Sequence, residues 1–479
     1  MQEEIKRAIV RIDNDKKDLP IEAVVEIAPT DQKERQGVIA QKNDILKNIE
    51  AVNIEFEEKL NKTNYVSDFA QRDKFAFVSI LRGLEKVGCF EKYRTYKEMI
   101  EKSQIAKKYQ WLLSRWLIAL EENGYIKKYN DEYFITYRYS EEEHDIMAKN
   151  IFENWVEEYG DINLMNYIQE NGKQISEILK EKVDPVGILY PEGSNKYTKA
   201  LYVTSSVAKV INQYYCSFIS EYTKRNTGRK IRILEIGAGT AATALPIIDT
   251  LKNTDYEYYF TDITKYFLPR AKKLFENNNR VIISQFNVDE DYTKQGLQPN
   301  YFDIIIGAYV LENVKDIRKS ISLIKDLAAP HGYLLFSEPI RNEPWILASQ
   351  ALMMTEPEDE LRNNTFFVSP GCWKEILDEC DKSSHTSIFP DIQSSLCNLG
   401  AVLFIKQFKT DKKLIDRDKI RKSIFSYIPD YMMPKEILYF EKFFLSENGK
   451  IERKKCFLIF IKALKKQTKA IMTVELQVE

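Results

Sequence analysis

Residues 231–245, with the sequence IRILEIGAGTAATAL, constrain the fold more than any other stretch of the chain. Their apolar beginning predicts a buried strand, and Gly237 and Gly239 predict a turn whose backbone adopts unusual dihedral angles. A helix is expected over residues 242–251, with free backbone N–H groups in its first turn. Gly237, Gly239 and Ala242 together match the fingerprint G-x-G-x-x-G/A, which is typical of a nucleotide-binding strand, turn and helix.

Two acidic residues around this turn bear on the ligand. Asp262 follows a second apolar run, residues 256–260, and a carboxylate at the end of the second strand suits the hydroxyl pair of a ribose. Glu235 lies two positions before the first glycine, where dehydrogenases usually have an apolar residue. An acidic residue there is typical of enzymes that use S-adenosylmethionine (SAM), because it suits the cationic tail of that cofactor. The sequence therefore favours SAM over NAD.

Length and composition limit the number of domains and the classes of partner that this chain can have. At 479 residues the chain is too long for one ordinary core. Its 70 basic and 72 acidic residues give a net charge of −2, which favours neither nucleic acid nor an anionic membrane as a partner. Six cysteines without a C-x-x-C pair, and three histidines, predict no metal site and fit a reduced, cytoplasmic protein. The charged N-terminal sequence does not resemble a signal peptide, and no apolar run predicts a membrane span.

The rest of the sequence predicts further regions around the central one. Residues 1–42 contain two short β-branched runs, at 21–28 and 37–41, which need a partner strand from elsewhere. Residues 43–140 have the pattern of amphipathic helices followed by a hairpin, and their mixed charge favours a helical lid subdomain over a nucleic-acid-binding wing. Residues 141–225 are mainly helical. In residues 226–408 strands alternate with helices, which predicts a mostly parallel, doubly wound α/β sheet with its ligand at the carboxyl ends of the strands.

Five segments resemble, in the same order, the methyltransferase domains embedded in polyketide synthases and nonribosomal peptide synthetases. They are GILYPEGSNKYTKALYVTSS (187–206), LEIGAGT (234–240), YFTDIT (259–264), DYTKQGLQPNYFDIIIGAYVLENVKDI (291–317) and PHGYLLFSEP (330–339). The polyketide C-methyltransferase type is the most similar in pattern. The resemblance implies a class I, Rossmann-like fold, SAM as the cofactor, and a substrate tethered as a thioester to a carrier protein.

Both ends of the chain resemble the small C-terminal subdomain of nonribosomal peptide synthetase adenylation domains. IPDYMMPKEI (428–437) and SENGKIERK (446–454) resemble its last two core motifs, and the runs in residues 1–42 resemble a preceding β segment. This implies that residues 1–42 and 409–455 form one split α+β subdomain around the methyltransferase, with 456–479 as a tail. Lys450 stands where adenylation domains have their adenylating lysine. Since no adenylating core is expected in this chain, Lys450 is predicted to be either an evolutionary relic or part of a surface that docks a separate core.

The resemblance also assigns residues to the cofactor. The set it implies is Glu235, Gly237, Ala238, Gly239, Thr240, Asp262, Ile263, Asn287, Val288, Gly307 and Ala308. Glu235 and the glycine turn would hold the methionyl part, and Asp262 the ribose. Ile263 would lie against the adenine, and Asn287 and Val288 would bracket its edge. For each apolar member of the set, plain core packing is the competing interpretation.

Glu312 departs from the family pattern. The polyketide C-methyltransferases have a histidine there, paired with a glutamate that corresponds to Glu338, and this pair removes the α-proton of the substrate. A glutamate is a base near neutral pH only if burial or a second carboxyl raises its pKa. An amine nucleophile needs only a weak base, so the sequence favours N-methylation over C-methylation. A solvent-exposed residue at a helix start is the competing interpretation of Glu312.

The sequence thus predicts a SAM-dependent methyltransferase, with Glu312 and Glu338 as catalytic residues, that acts on carrier-bound intermediates of nonribosomal peptide or polyketide biosynthesis. Its expected partners are an acyl or peptidyl carrier protein and a separate adenylation core or synthetase. A non-catalytic synthetase fragment that serves as a docking module is the first alternative. An NAD-dependent oxidoreductase, supported only by the glycine fingerprint, is the second.

Overall fold

The computed structural model describes residues 3–10, 23–29, 32–159, 161–382, 384–408 and 438–440. The chain divides into two compact units. The larger unit is Gln41–Ala328 with Gly332–Phe408, and the smaller one contains residues from both ends of the chain. Among the helices described, none is long and apolar enough to cross a membrane.

Strands and helices are numbered separately along the described chain. The strands are β1 (Glu3–Val10), β2 (Ala23–Pro29), β3 (Ile126–Tyr129), β4 (Glu132–Ile135), β5 (Ile231–Ile236), β6 (Tyr256–Asp262), β7 (Val281–Gln285), β8 (Phe302–Ala308), β9 (Ala328–Pro339), β10 (Ser387–Phe389), β11 (Ala401–Gln407) and β12 (Leu438–Phe440). The helices are α1 (Gln32–Leu60), α2 (Tyr65–Lys86), α3 (Tyr96–Lys102), α4 (Gln110–Glu122), α5 (Glu141–Tyr159), α6 (Ile162–Leu179), α7 (Pro185–Leu189), α8 (Lys196–Lys199), α9 (Ser206–Arg225), α10 (Ala244–Thr250), α11 (Leu268–Leu274), α12 (Ile317–Leu327), α13 (Pro344–Leu347) and α14 (Pro370–Cys380).

The larger unit is built around a seven-stranded sheet in the order β10-β11-β9-β8-β5-β6-β7. Strands β9, β8, β5, β6 and β7 are parallel neighbours, and β11 and β10 add an antiparallel edge. Helix α10 connects β5 to β6, α11 connects β6 to β7, and α12 connects β8 to β9. Parallel strands joined through helices form the doubly wound α/β sheet that the sequence predicts.

The alternation of side chains in β5 explains why this strand lies at the centre of the sheet. Ile231 and Ile233 are buried in a cluster with helix α9, whereas Leu234 and Ile236 are buried in a cluster with α12 on the other face. A strand covered on both faces has apolar residues at nearly every position, as β5 has. Because side chains alternate, Glu235 shares the face of Ile233 and lies on the α9 side.

In the region predicted to be a lid, which keeps that name below, helices α2, α4 and α6 pack together in one layer, and residues that follow β9 complete this layer. The indole N–H of Trp116 donates to the Leu347 carbonyl at 3.1 Å, and the guanidinium of Arg115 donates to the Arg362 carbonyl at 2.6 Å. The hairpin predicted for this region is confirmed as β3 and β4. The contribution of residues 344–367 was not predicted, because in sequence they lie beyond the sheet strands.

Helix α1 corrects one prediction. Residues 37–41 were expected to form a strand, but they lie inside α1. Residues 32–47 are rich in Gln, Lys, Glu and Arg, which favour helix, and they contain no proline. Gly37 alone weakens the helix without ending it.

The second half of α1 packs on the sheet region. Asn48 donates to Glu221 of α9 at 2.9 Å, and Ile49 is buried in the cluster that contains α9 and β5. The structure therefore places this part of the chain beside the sheet, although the sequence assigns residues 43–140 to the lid.

The chain ends contribute to a second sheet of three strands, in the order β1-β2-β12. β1 and β2 are antiparallel, and β2 is parallel to β12, with Val24 opposite Leu438. The strand predicted for residues 21–28 is thus present as β2, beside a strand from the other end of the chain. The motifs at 428–437 and 446–454, Lys450 and the tail 456–479 lie outside the described residues, so the adenylation-type assignment and its boundaries stay a prediction.

A buried ion pair connects the lid to the segment after β9. Arg72 of α2 donates to Glu343 at 3.0 Å, and these side chains are only 5% and 2% exposed. Arg341 also contacts Glu343, and Arg72 contacts the partly exposed Asp73. Burial raises the pKa of Glu343, while the two arginines oppose that shift.

We predict that Glu343→Ala lowers the free energy of unfolding by about 3 kcal/mol, because Arg72 then stays buried with only Asp73 as a counter-charge. Denaturant unfolding at neutral pH measures the change. Glu55→Ala is the control, since it breaks a pair with Lys59 in which both side chains are more than 60% exposed, and it should have little effect. Equal losses in the two variants would contradict the prediction.

Candidate functional site

The predicted site residues converge at one edge of the sheet because parallel strands end together there. Ile236 of β5 lies opposite Gly307 of β8, and Ala308 lies opposite Ser337 of β9. β6, on the other side of β5, ends at Asp262. The turns after β5, β6 and β8 and the end of β9 therefore surround one region at the carboxyl ends of the strands.

The turn after β5 has the backbone that its glycines predict. Gly237 and Gly239 have φ angles of +67° and +49°, and Ala241 also adopts a left-handed φ of +68°. A Cβ on Gly237 would lie 2.4 Å from Cγ2 of Val310, whereas a Cβ on Gly239 would meet nothing closer than 3.9 Å. The neighbouring turn therefore requires glycine at 237, while Gly239 leaves space beside the backbone for a ligand.

Helix α10 begins at Ala244, two residues later than predicted. The left-handed Ala241 interrupts the right-handed helical path, so the residues before 244 form a turn. The Ala238 N–H donates to the Thr261 carbonyl at 2.8 Å and fastens this turn to β6. Thr240 lies half-buried in the same turn.

Asp262 supports the turn and keeps acceptor capacity for a ligand. Its two carboxylate oxygens accept hydrogen bonds from the backbone N–H groups of Gly239 and Thr264, each at 2.9 Å. Burial raises its pKa, and the two N–H bonds oppose that shift. Each carboxylate oxygen has a further lone pair, so the group can also accept bonds from ribose hydroxyls.

An apolar surface lies next to Asp262. Ile263 is 57% exposed although its side chain is large and apolar. Tyr190 packs against Tyr266 and Phe267, with ring centroids 6.0 and 5.9 Å away. Burial, and to a lesser extent the charge of Asp262, raises the pKa of Tyr190 to about 12. A flat base that covered Ile263 would remove apolar surface from water, which fits the predicted position of the adenine.

Glu235 is almost fully buried on the α9 side of β5, with 1% of its surface exposed. The Tyr258 hydroxyl donates to its Oε2 at 2.8 Å, and no ion pair involves it in the described part of the chain. Burial raises its pKa to about 8, a shift that the bond from Tyr258 opposes and the charge of Asp262 increases. A positively charged ligand group beside Glu235 would stabilise its ionised form.

Asn287 and Val288 follow β7, and their side chains already have partners. Val288 is 6% exposed and belongs to the apolar core, in agreement with the competing interpretation. The amide oxygen of Asn287 accepts from the Asp289 N–H at 3.0 Å, and the Asn287 N–H donates to Gln295 at 2.7 Å. An adenine amino group would therefore share the Asn287 oxygen with this turn.

Gly307 and Ala308 end β8 beside the glycine turn. The Tyr215 hydroxyl lies 3.1 Å from the Gly307 carbonyl oxygen and 3.1 Å from Oγ of Ser337. It can donate to the first and accept from the second. Helix α9, which carries Tyr215, thus holds the ends of β8 and β9 in place.

The structure brings Glu312 and Glu338 together. Glu338, near the end of β9, accepts the backbone N–H of Leu311 at 2.8 Å and of Glu312 at 3.2 Å. Glu312 is only 9% exposed, so it is not the solvated residue of the competing interpretation. Its Oε2 has no hydrogen-bond partner among the described residues, and the side chain of Arg362 contacts only its backbone carbonyl.

The two carboxyl groups have raised pKa values. Burial raises the pKa of Glu312, and it raises the pKa of Glu338 far above its ordinary value. The charge of Glu312 raises the pKa of Glu338 further, while the two backbone N–H bonds oppose the shift. Two adjacent carboxyl groups cannot both ionise cheaply. The pair therefore holds one proton more firmly than a solvated carboxyl group does, and its other member can act as a base.

Four tyrosines of this region were not predicted as site residues: Tyr190, Tyr202, Tyr258 and Tyr309. A signal existed for Tyr190 and Tyr202, since both lie in the motif at 187–206, and for Tyr309, which lies in the motif at 291–317. Tyr258 had no such signal, because its contact with Glu235 depends on the pairing of β5 with β6.

SAM fits this sheet edge in three respects. Gly239 leaves the backbone of the turn open, Asp262 has acceptors for the ribose, and Glu235 is a buried carboxyl that a cationic amino group would stabilise.

Comparisons with known proteins bear on the family and the fold of this chain. Residues 234–334 match the protein family described as a methyltransferase domain. The chain is 28% identical over 373 residues to pyochelin synthetase PchF of Pseudomonas aeruginosa (strain UCBPP-PA14), and 32% identical over 174 residues to polyketide synthase PksR of Bacillus subtilis (strain 168). These matches cover 75% and 35% of this chain but 20% and 7% of the two relatives, so the chain spans a fifth of their length or less.

Solved structures share the fold. The CurJ carbon methyltransferase has a TM-score of 0.67 at 20% identity, and the match covers 76% of this chain and 99% of that one. The citrinin polyketide synthase CMeT domain has a TM-score of 0.65 at 18% identity, with coverage of 81% and 99%. The trans-methyltransferase CalH, solved with S-adenosylhomocysteine (SAH), has a TM-score of 0.51 at 17% identity, with coverage of 71% and 90%.

These findings confirm two predictions. The chain contains a methyltransferase domain similar to those of polyketide synthases and nonribosomal peptide synthetases. Its fold is the class I α/β fold. The prediction of SAM as the cofactor agrees with the match to a methyltransferase domain. The roles of the individual site residues stay predictions that the geometry supports.

We predict that Gly237→Ala weakens SAH binding by about tenfold or more, since strain of this kind costs on the order of 1–3 kcal/mol. The added Cβ would lie 2.4 Å from Val310 at a φ of +67°, so the turn must move. Calorimetry measures the affinity. Gly371→Ala is the matched control, because a Cβ there meets nothing within 4 Å. Equal affinities in the two variants would show that this turn is not the cofactor site.

We predict that SAH binding releases a proton from Glu235. A cationic amino group beside Glu235 lowers its pKa from about 8, so below that pH the free protein must lose a proton in order to bind. Affinity should then weaken by about tenfold as the pH falls from about 8 to about 6.5. Calorimetry in buffers of different ionisation enthalpy detects the proton. Glu235→Gln should release no proton, and its affinity for SAH should not depend on pH in this range. If the variant keeps the pH dependence of the wild type, Glu235 is not the group that loses the proton.

Proposed function

We propose that this protein transfers the methyl group of SAM to a nitrogen atom of an intermediate that a carrier protein holds as a thioester. The observation that carries the proposal is the buried pair of Glu312 and Glu338 at the same sheet edge as the glycine turn and Asp262. SAM supplies an electrophilic methyl group on a sulfonium. The protein has to hold the nucleophile in line with that methyl group and accept its proton.

The carboxyl pair acts as the base in this proposal. The substrate nitrogen forms a bond to the methyl carbon while the bond from that carbon to sulfur breaks, so SAH is the leaving group. The methylated nitrogen then carries an excess proton, which the ionised member of the pair accepts. Glu338 is occupied with two backbone N–H groups, so Glu312, whose Oε2 lacks a partner in the described chain, is assigned as the acceptor.

Carbon methylation is the second candidate. The solved structures of CurJ and of the citrinin polyketide synthase are described as a carbon methyltransferase and a CMeT domain. Removal of a proton from carbon needs a stronger base than removal from a methylated amine. Glu312 stands where the resemblance implies a histidine, and a carboxyl pair suits the weaker demand of the amine, so nitrogen is preferred.

The proposal of a carrier protein as partner, and of nonribosomal peptide or polyketide biosynthesis as the pathway, is based on sequence similarity. Segments of a pyochelin synthetase and of a polyketide synthase match this chain, which supports a carrier protein as the partner. The cytoplasm is proposed as the compartment because the cysteine pattern fits a reduced protein. A separate adenylation core remains an expected partner. The methyltransferase match favours this function over an NAD-dependent oxidoreductase. A non-catalytic docking fragment would bind SAH without transferring methyl groups, and the assay below separates the two.

We predict that Glu338→Gln and Glu312→Gln each lower methyl transfer by about 10²–10⁴-fold, the usual effect of losing a general base, with SAH affinity nearly intact. The assay offers SAM with carrier-bound aminoacyl and β-ketoacyl thioesters, and mass spectrometry identifies the product. Glu85→Gln is the control, because burial raises the pKa of that carboxyl group as well, but it belongs to α2 of the lid.

Glu312→His tests which atom accepts the methyl group. It installs the residue type that the resemblance implies for carbon methyltransferases, so it should permit methylation of the β-ketoacyl substrate. Full activity in Glu338→Gln would remove the pair from the mechanism. Methylation of the β-ketoacyl substrate but not of the amine by the wild type would overturn the assignment to nitrogen.

A further inference from the structure

Tyr309 follows β8 in a strained backbone conformation. Its φ is +57°, in the left-handed region that residues other than glycine rarely adopt. The backbone N–H of Tyr309 donates a hydrogen bond to the Ser337 carbonyl at 2.8 Å, which holds the backbone in this conformation. Strain of this kind persists only where the surrounding structure enforces it, and it is concentrated in functional sites.

The Tyr309 hydroxyl oxygen is buried and has no hydrogen-bond partner among the described residues. Its neighbours are different, since the Tyr202 hydroxyl accepts from Gln350 at 3.1 Å and the Tyr215 hydroxyl pairs with the Gly307 carbonyl. Most buried polar groups have a partner, because an unpaired one costs free energy. A ligand is therefore a natural source of the missing hydrogen bond.

Tyr309 lies beside the carboxyl pair. Its ring packs against Tyr202 with centroids 5.8 Å apart, and the charges of Glu312 and Glu338 add to the effect of burial in raising its pKa. Oε2 of Glu312 is a second atom without a partner in this part of the described structure. The phenol offers a donor and the carboxylate offers an acceptor. A ligand that carries an acceptor for the phenol and a donor for the carboxylate would supply both missing hydrogen bonds.

We propose that the Tyr309 hydroxyl donates a hydrogen bond to the carbonyl oxygen of the carrier-bound acyl group, while Glu312 accepts the N–H of an amine on the adjacent carbon. An α-aminoacyl thioester has this arrangement of acceptor and donor. The inference rests on the proposed function and narrows its substrate class to α-aminoacyl thioesters. Tyr309 orients the nitrogen and keeps its own proton throughout the reaction.

Tyr333 of β9 provides a matched control. Its hydroxyl is also buried without a partner among the described residues. Its ring, however, packs in the apolar core against Phe218 and Tyr222, with centroids 5.1 and 5.8 Å away. Loss of that hydroxyl removes an unpaired polar atom and touches no part of the site.

Calorimetry on the SAH-loaded protein tests the contact without requiring turnover. The probes are the ketone analogue of alanyl-pantetheine, in which CH₂ replaces the thioester sulfur and the carbonyl is kept, and the thioether counterpart, in which CH₂ replaces the carbonyl and no new charge is introduced. Tyr309→Phe should weaken binding of the carbonyl probe by about tenfold and leave the affinities for the other probe and for SAH unchanged. Tyr333→Phe should change none of the three. The wild type should itself prefer the carbonyl probe, so the contact can be tested even if the variant fails to fold.

Several results would overturn the contact. One is that the wild type and Tyr309→Phe bind the carbonyl probe with equal affinity. Another is that the wild type binds the two probes equally well. A third is that Tyr309→Phe loses affinity for both probes to the same extent, which would indicate that Tyr309 acts only through packing. If the selective loss is found but the wild type transfers no methyl group to an alanyl-carrier thioester, the contact stands and the proposed function fails.

Discussion

Parallel strand pairing places four buried carboxyl groups at one edge of the sheet: Glu235, Asp262, Glu312 and Glu338. Each is at most 9% exposed, and burial raises the pKa of each. Within the described residues, no lysine or arginine side chain forms an ion pair with any of them. Buried carboxyl groups without a counter-charge cost folding free energy. A ligand that brings positive charge to this edge, as a sulfonium with an amino group does, is stabilised by the same groups.

The sequence predicts those parts of the site whose conformation is determined by residues close together in the chain. Gly237 and Gly239 are recognisable because a strand must turn within a few residues, and only glycine adopts such angles easily. Asp262 is recognisable because it ends an apolar run at the expected distance from the turn. The alternation of strands and helices is also local, so the sheet and the placement of its ligand at the strand ends follow from it.

The parts that the sequence does not predict depend on contacts between distant segments. Tyr258 donates to Glu235 because β5 and β6 pair in a particular register, which no pattern within either strand reveals. The later start of α10 follows from the left-handed Ala241, a residue type that ordinarily favours helix. Residues 37–41 illustrate the opposite error, since a β-branched pair suggests a strand while the helix-forming residues around it continue α1.

The contact between Gly237 and Val310 links the two halves of the site. Gly237 belongs to the turn predicted to hold the cofactor, and Val310 to the turn that leads into the carboxyl pair. Since a single added Cβ on Gly237 would lie 2.4 Å from Val310, the two turns are packed closely against each other, with no room for a side chain between them. Tyr309 adds a second constraint, because its left-handed backbone is tied to Ser337 of β9. The cofactor turn, the base and the proposed carbonyl contact are therefore positioned together by backbone packing at the strand ends.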